Sequence, residues 1–176
     1  SAQNTRFDQL IKVIQPQAGY SILDFGCGYG ALADYLIVID RQFKVFVGYD
    51  ILESMVEQAR NLHQQDAGKY LFTADFSEVP VVDYAVASGV FNIKLDNSDE
   101  AWTEYVIQTL EKLDDRTTHG FSSNFLTSYS DADKMKPHLY YADPCFLFDY
   151  CKKHFSKNVA LLHDYELYDF TIIVRK

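Results

Sequence analysis

Cysteine, proline, methionine and tryptophan are scarce in this 176-residue chain, at three, four, two and one respectively. Three cysteines, Cys27, Cys145 and Cys151, are an odd number without metal-ligand spacing, so neither a disulfide framework nor a metal site is indicated and a reducing cytoplasm is expected. No apolar run approaches the length of a membrane span, and no secretory signal opens the chain. The first residue is Ser rather than Met, which suggests that upstream residues are missing. Basic residues are also in short supply: sixteen Lys and Arg face twenty-five Asp and Glu, for a net charge of −9. Affinity for a phosphate backbone comes largely from Lys and Arg releasing counterions, so nucleic acid is a poor partner and a small or uncharged acceptor fits better. The densest basic pair, Lys152-Lys153, reads as a solvated helix face.

What is abundant is apolar: 48% of residues are hydrophobic and 15% aromatic, enough for one core in one domain over residues 1–176. The chain is organised around Ser21-Ile-Leu-Asp-Phe-Gly-Cys-Gly-Tyr-Gly-Ala-Leu-Ala-Asp-Tyr-Leu36, an apolar strand that enters three alternate glycines and leaves as a helix. Gly26, Gly28 and Gly30 let the backbone turn and approach a ligand, and the helix behind them offers unpaired N–H groups. Leu32, Tyr35, Leu36 and Ile39 fall at helical spacing and predict docking on a sheet. Gly26-x-Gly28-x-x-Ala31 also satisfies a loose dinucleotide pattern. A nicotinamide-dependent oxidoreductase would need a further catalytic domain, for which no residues remain.

Asp24 stands two residues before the first glycine, and Asp50 ends the next apolar run, Lys44-Val-Phe-Val-Gly-Tyr. Asp24-Phe-Gly26-Cys27-Gly28-Tyr29-Gly30 followed by Asp50 resembles motif I and the next acidic position of the class I S-adenosylmethionine-dependent methyltransferases. The resemblance implies an enzyme that uses S-adenosyl-L-methionine and releases S-adenosyl-L-homocysteine. It further implies a three-layer, Rossmann-like α/β fold with a seven-stranded sheet in the order 3-2-1-4-5-7-6. A catalytically silent partner subunit with the same fold is the alternative outside enzymes.

Cofactor contacts are then expected from the glycine loop and from the ends of the following strands. Asp50 can accept from both ribose hydroxyls, with Ile51 beside it; a helix N-cap is the other role open to Asp50. Tyr70 to Ala74 reads as the third strand, and in the resembled family the next residues, here Asp75 and Phe76, contact adenine. Val81 to Ser88 reads as the fourth strand, beside the first where strand order reverses. Its carboxyl end should place Ser88 and Gly89 against cofactor and Phe91 and Asn92 against acceptor. Amino- and adenine-N-methyltransferases often carry Asn or Asp, Pro-Pro and an aromatic there; Ser88-Gly-Val-Phe departs from that, against base methylation.

Asn97-Ser-Asp-Glu100 reads as a capping box for a helix with Trp102, Val106, Leu110 and Leu113 inward. Gly120 to Leu126 supplies the fifth strand, with His119 at its distal end. Residues 127–142 lack periodicity, as a functional loop does, and Tyr129, His138, Tyr140 and Tyr141 are candidates to shape an acceptor pocket. Asp143-Pro144 begins a helix with Phe148, Cys151 and Phe155 inward, so both C-terminal cysteines read as structural. Asn158 to His163 and Phe170 to Val174 are joined so briefly that they predict a hairpin with an antiparallel last strand.

Methyl transfer from a sulfonium requires chiefly alignment, whereas a hydroxyl acceptor must also lose a proton. His163 and Asp164 are the candidate catalytic pair, although adjacent strand residues point to opposite faces. The segments 87–94 and 161–175 also look like bacterial methyltransferases associated with surface-polysaccharide biosynthesis, which would suggest O-methylation of a sugar or its precursor.

Overall fold

The computed structural model describes residues 1–16, 19–66 and 68–176. Its sheet grows outward from β1 (Tyr20–Phe25), which pairs in parallel with β2 (Phe43–Tyr49) on one side and β4 (Val82–Ala87) on the other. Flanked on both edges and covered on both faces, β1 is buried along nearly its whole length, which is why Ile22-Leu-Asp-Phe25 reads as a run instead of an alternation. β3 (Tyr70–Thr73) extends the sheet beyond β2, and β5 (Thr117–Thr127) extends it beyond β4, both in parallel. The final strand, β8 (Asp169–Arg175), inserts antiparallel between β5 and β7 (Asn158–Leu162).

The resulting order β3-β2-β1-β4-β5-β8-β7 is the expected one with an additional strand. The addition is β6 (Tyr141–Ala142), two residues in parallel with the end of β5 at Leu126 and Thr127. So short a segment has no alternation to read, and it lies within the stretch the sequence marks as irregular.

Two helical layers enclose the sheet. On one side α1 (Ala2–Leu10), α2 (Ala31–Val38) and α3 (Glu53–Leu62) bury Phe7, Leu10, Leu32, Leu36, Val56 and Ala59 against the Tyr20 and Ile22 face. On the other, α4 (Asp99–Asp115) and α5 (Pro144–His154) bury Val106, Leu110, Leu113, Leu147 and Cys151 against Leu23 and Phe25. Each such Leu contributes about 1.5–3 kcal/mol by leaving water. Asp143 caps α5 as expected, its Oδ1 accepting from Cys145 N–H at 2.9 Å, whereas α4 is capped one residue later than the Asn97–Glu100 box predicts, by Ser98 Oγ accepting from Ala101 N–H at 3.1 Å.

In α3 the buried pair is Val56 and Ala59 while Leu62, in the last turn, is 59% exposed. Two expectations are corrected. Ile39 is the residue that ends α2 and stays partly exposed. Cys145 is exposed at the start of α5, so of the two C-terminal cysteines only Cys151 packs in the core.

Candidate active site

The parallel strands β1, β2 and β4 end at one edge, and a cleft of about 300 Å³ opens there. Gly26 and Asp50 form one side, with Ile51 78% exposed beside them. Ser88, Gly89, Val90 and Tyr105 form the other.

The glycine loop is pinned from below. Tyr49 C=O accepts from Gly26 N–H at 2.7 Å and from Cys27 N–H at 2.9 Å, so the end of β2 sets where the chain leaves β1. Gly26 has φ +81°, and a Cβ there would come within 2.7 Å of Val90 Cγ2, so any side chain would strain the backbone and push Val90 into the cleft. Gly28 N–H donates to Asp50 Oδ2 at 2.9 Å, and Leu52 N–H donates to Asp50 Oδ1 at 3.0 Å. Asp50 therefore ties the loop to the start of the next helical segment. It is not the N-cap of α3; that position is Leu52, whose side chain makes no cap. A carboxylate has about four lone-pair sites, so two remain for hydroxyl donors in the cleft.

Below the loop Asp24 is 4% exposed. Burial first, and then the neighbouring Asp50, raise its carboxyl from the usual range to about 7. The Cys27 thiol is likewise pushed up, chiefly by burial and then by Asp24 and Asp50, so it is no nucleophile near neutral pH. Its Sγ contacts the backbone of Gly28, whereas the Tyr29 side chain is 47% exposed. Gly30 begins α2 with φ +93° and abuts the His63 ring.

The buried Asp24, the half-buried Asp50 and a glycine turn form an acceptor-rich seat of negative potential. It suits a ligand with a diol and a positive charge, and a cationic nucleoside such as S-adenosylmethionine has both. The residues present fit that cofactor.

Asp75 lies after β3 as the cap of a short 3-10 turn, and its carboxyl is held below the usual range by bonds from Ser77 Oγ at 2.7 Å and Ser77 N–H at 2.9 Å. Phe76 packs edge-on to Phe25 and Tyr49 at ring centroid distances of 5.9 and 5.3 Å, just behind the cleft wall.

The predicted acceptor residues do not share one pocket. Phe91 is fully buried and stacks on Phe125 at 5.1 Å, so it is a core residue and not a pocket wall. Tyr140 is also buried, with its hydroxyl 2.8 Å from that of Thr103. Both lie under the loop because their apolar rings pack against α4 and β5. Asn92 is half-buried near Gly89, and its side-chain oxygen is buried without a partner among the described residues. Tyr141 borders a separate cavity of about 410 Å³ beside Lys94 and Met135, and the His138 side chain is exposed.

His163 and Asp164 follow β7, are exposed, and do not line the cleft. The His163 ring instead sits 5.8 Å from the rings of Tyr129 and Phe170, with Tyr129 70% exposed. Four wall residues escaped sequence reasoning: Phe25, Tyr49, Val90 and Tyr105. Tyr105 had a usable signal, its place three residues after Trp102, whose ring it meets at 4.7 Å. A larger cavity of about 430 Å³ lies between α3 and β3, but its Arg60 is committed to Phe72 C=O and Glu53.

A family model described as a methyltransferase domain matches residues 22–113. The candidate methyltransferase Rv1506c of Mycobacterium tuberculosis is 47% identical over 171 residues, which cover 94% of this chain and 99% of that protein. Among solved structures, a chain of the Pnkp1/Rnl/Hen1 RNA repair complex aligns over 98% of this chain with TM-score 0.70 and 18% identity. Human N-acetylserotonin methyltransferase, solved in complex with SAM, aligns over 99% with TM-score 0.65 and 16% identity. This chain spans 41% and 52% of those two, so the likeness is one of fold.

Proposed function

The chain belongs to the methyltransferase-domain family, and from that premise we propose that it transfers a methyl group from S-adenosylmethionine to oxygen of a small-molecule or carbohydrate-precursor acceptor. The observation that carries this reading is Asp50, fixed by Gly28 N–H and Leu52 N–H with acceptor capacity left over at the end of β2.

The cofactor supplies an activated methyl on a sulfonium whose departure as a thioether needs no proton. The chain's own residues orient and exclude water. Asp50 holds the ribose hydroxyls, Ile51 offers an apolar ledge for adenine, and Asp75 with Phe76 bounds the base. Gly26, Cys27, Gly28, Tyr29 and Gly30 present backbone to the amino-acid end, above the Asp24 carboxylate. Ser88 and Gly89 border the opposite wall, leaving Tyr105 and Asn92 to meet the acceptor. Holding two reactants in line is worth roughly 7–11 kcal/mol in favourable cases, so positioning alone accounts for much of the catalysis. His163, with Asp164 beside it after β7, is the proposed group to take a hydroxyl proton.

Acceptor chemistry is read from the exposed rings and carboxylates around the hairpin that joins β7 to β8. Tyr129, Tyr168 and His163 are exposed rings there, amid Asp131, Asp164 and Glu166. Rings stack on sugar faces and carboxylates accept from hydroxyls, whereas a phosphate backbone meets repulsion. Incubation with methyl-labelled cofactor and a metabolite extract, followed by mass spectrometry, tests the proposal. A labelled neutral or sugar-like product supports it, and no labelled product from any extract, despite measurable S-adenosylhomocysteine binding, favours a silent subunit. Stabilisation by NAD in place of S-adenosylhomocysteine would overturn it.

A further inference from the structure

Behind the cleft wall runs a buried polar chain that reaches from the turn after β4 to the N-terminal helix. Gly89 N–H donates to Asn124 Oδ1 at 2.7 Å. Asn124 Nδ2 donates to Asp169 Oδ2 at 2.7 Å. Arg6 completes the chain, with Nε 2.8 Å from Asp169 Oδ2 and Nη2 3.4 Å from Oδ1. Asn124 is fully buried and Asp169 is 1% exposed.

The chemistry leaves no freedom in this arrangement. A backbone N–H can only donate and a carboxylate can only accept, so the Asn124 amide has a single orientation that satisfies both. Asp169 is a buried charge neutralised by Arg6, whose side chain is 26% exposed. Removing that cation would leave the carboxylate uncompensated. At the other end Gly89 has φ +68°, and a Cβ there would meet only Asn92 Nδ2, at an ordinary 3.9 Å, so its glycine serves the backbone angle and not close packing. The bond from Asn124 therefore holds a left-handed turn that would otherwise be free to move at the mouth of the cleft.

We propose that Asn124 and Asp169 are positioning residues that lock the Gly89 turn and couple it through Arg6 to α1, so that ligand in the cleft and docking of α1 stabilise each other. This rests on the reading of the cleft as the cofactor seat. Coupling between sites is reciprocal, so whatever loosens α1 weakens ligand binding by the same factor by which ligand tightens α1.

Hydrogen exchange of residues 2–10 with and without S-adenosylhomocysteine, together with its dissociation constant, tests the relay in wild type, Asn124→Ala, Arg6→Gln and Arg6→Lys. The wild type is expected to bind and to gain protection in α1. Asn124→Ala should bind about tenfold more weakly, the loss of one buried bond, and lose the ligand-dependent protection. Arg6→Gln should behave alike to a smaller degree, and Arg6→Lys should restore part of it. Arg6 is partly exposed, so its variants remain informative if Asn124→Ala does not fold. Failure of the wild type to bind overturns the cofactor seat and the relay with it. A wild type that binds without protecting α1, or folded variants that keep both affinity and protection, overturns the relay alone.

Discussion

At the residue scale two carboxylates a short way apart do opposite things. Asp50 is fixed as an acceptor by two backbone donors, and Asp50→Ala should weaken S-adenosylhomocysteine binding by about a hundredfold or more, since hydrogen bonds to a charged group contribute about 1.5–3 kcal/mol each. Calorimetry reads that loss directly. Asp24 is held protonated up to about pH 7 by burial and by Asp50. Its folded pKa lies above its unfolded one, so the folded protein binds the extra proton between about pH 4 and 7 and loses stability as pH rises through that window. Asp24→Asn should abolish this slope and raise Tm at pH 8, by roughly 2–4 °C for each kcal/mol recovered. In the wild type a cationic ligand favours the ionised form, so affinity for S-adenosylmethionine should fall by up to about tenfold from pH 8 to pH 6, and the slope should vanish in Asp24→Asn. His163 tests separately: if it takes the acceptor proton, His163→Gln lowers kcat with the cofactor dissociation constant unchanged, and unchanged turnover removes it from the mechanism.

At the scale of elements, caps are independent of chemistry. Asp143 accepts from Cys145 N–H and Phe146 N–H, so Asp143→Ala should cost about 1 kcal/mol in chemical denaturation while leaving ligand affinity intact. That cap, the glycine loop and the hairpin that reverses the last strand were legible because each has a local signature in residue type and spacing, and the α4 cap was legible to within one residue. Phe91 and Tyr140 were not, since an aromatic beside a predicted crevice looks the same whether it faces in or out. The distinction comes from α4 and β5, which supply Phe125 and Thr103 as partners far away in sequence. The Gly89–Asn124–Asp169–Arg6 chain was illegible for the same reason, since Arg6 and Asp169 meet across 163 positions.

At the scale of the molecule, the parallel order of β1, β2 and β4 brings the glycine loop, Asp50 and the Gly89 turn to one edge, and the antiparallel β8 brings Asp169 up behind them. A ligand seated there touches segments from both halves of the sheet, so it stabilises the whole chain. S-adenosylhomocysteine at about a hundred times its dissociation constant should add about 2.7 kcal/mol and raise Tm accordingly. The same molecule carries a net charge of −9, with acidic groups at the cleft and beside the β7–β8 hairpin. An RNA acceptor would have to approach against that field without the Lys and Arg clusters that release counterions. Added RNA is therefore expected to leave Tm unchanged at low salt and to gain no label from the methyl donor. Labelled RNA, or a Tm rise with RNA that disappears as salt is raised, would show that the charge has been misjudged and would replace the small acceptor with a polynucleotide.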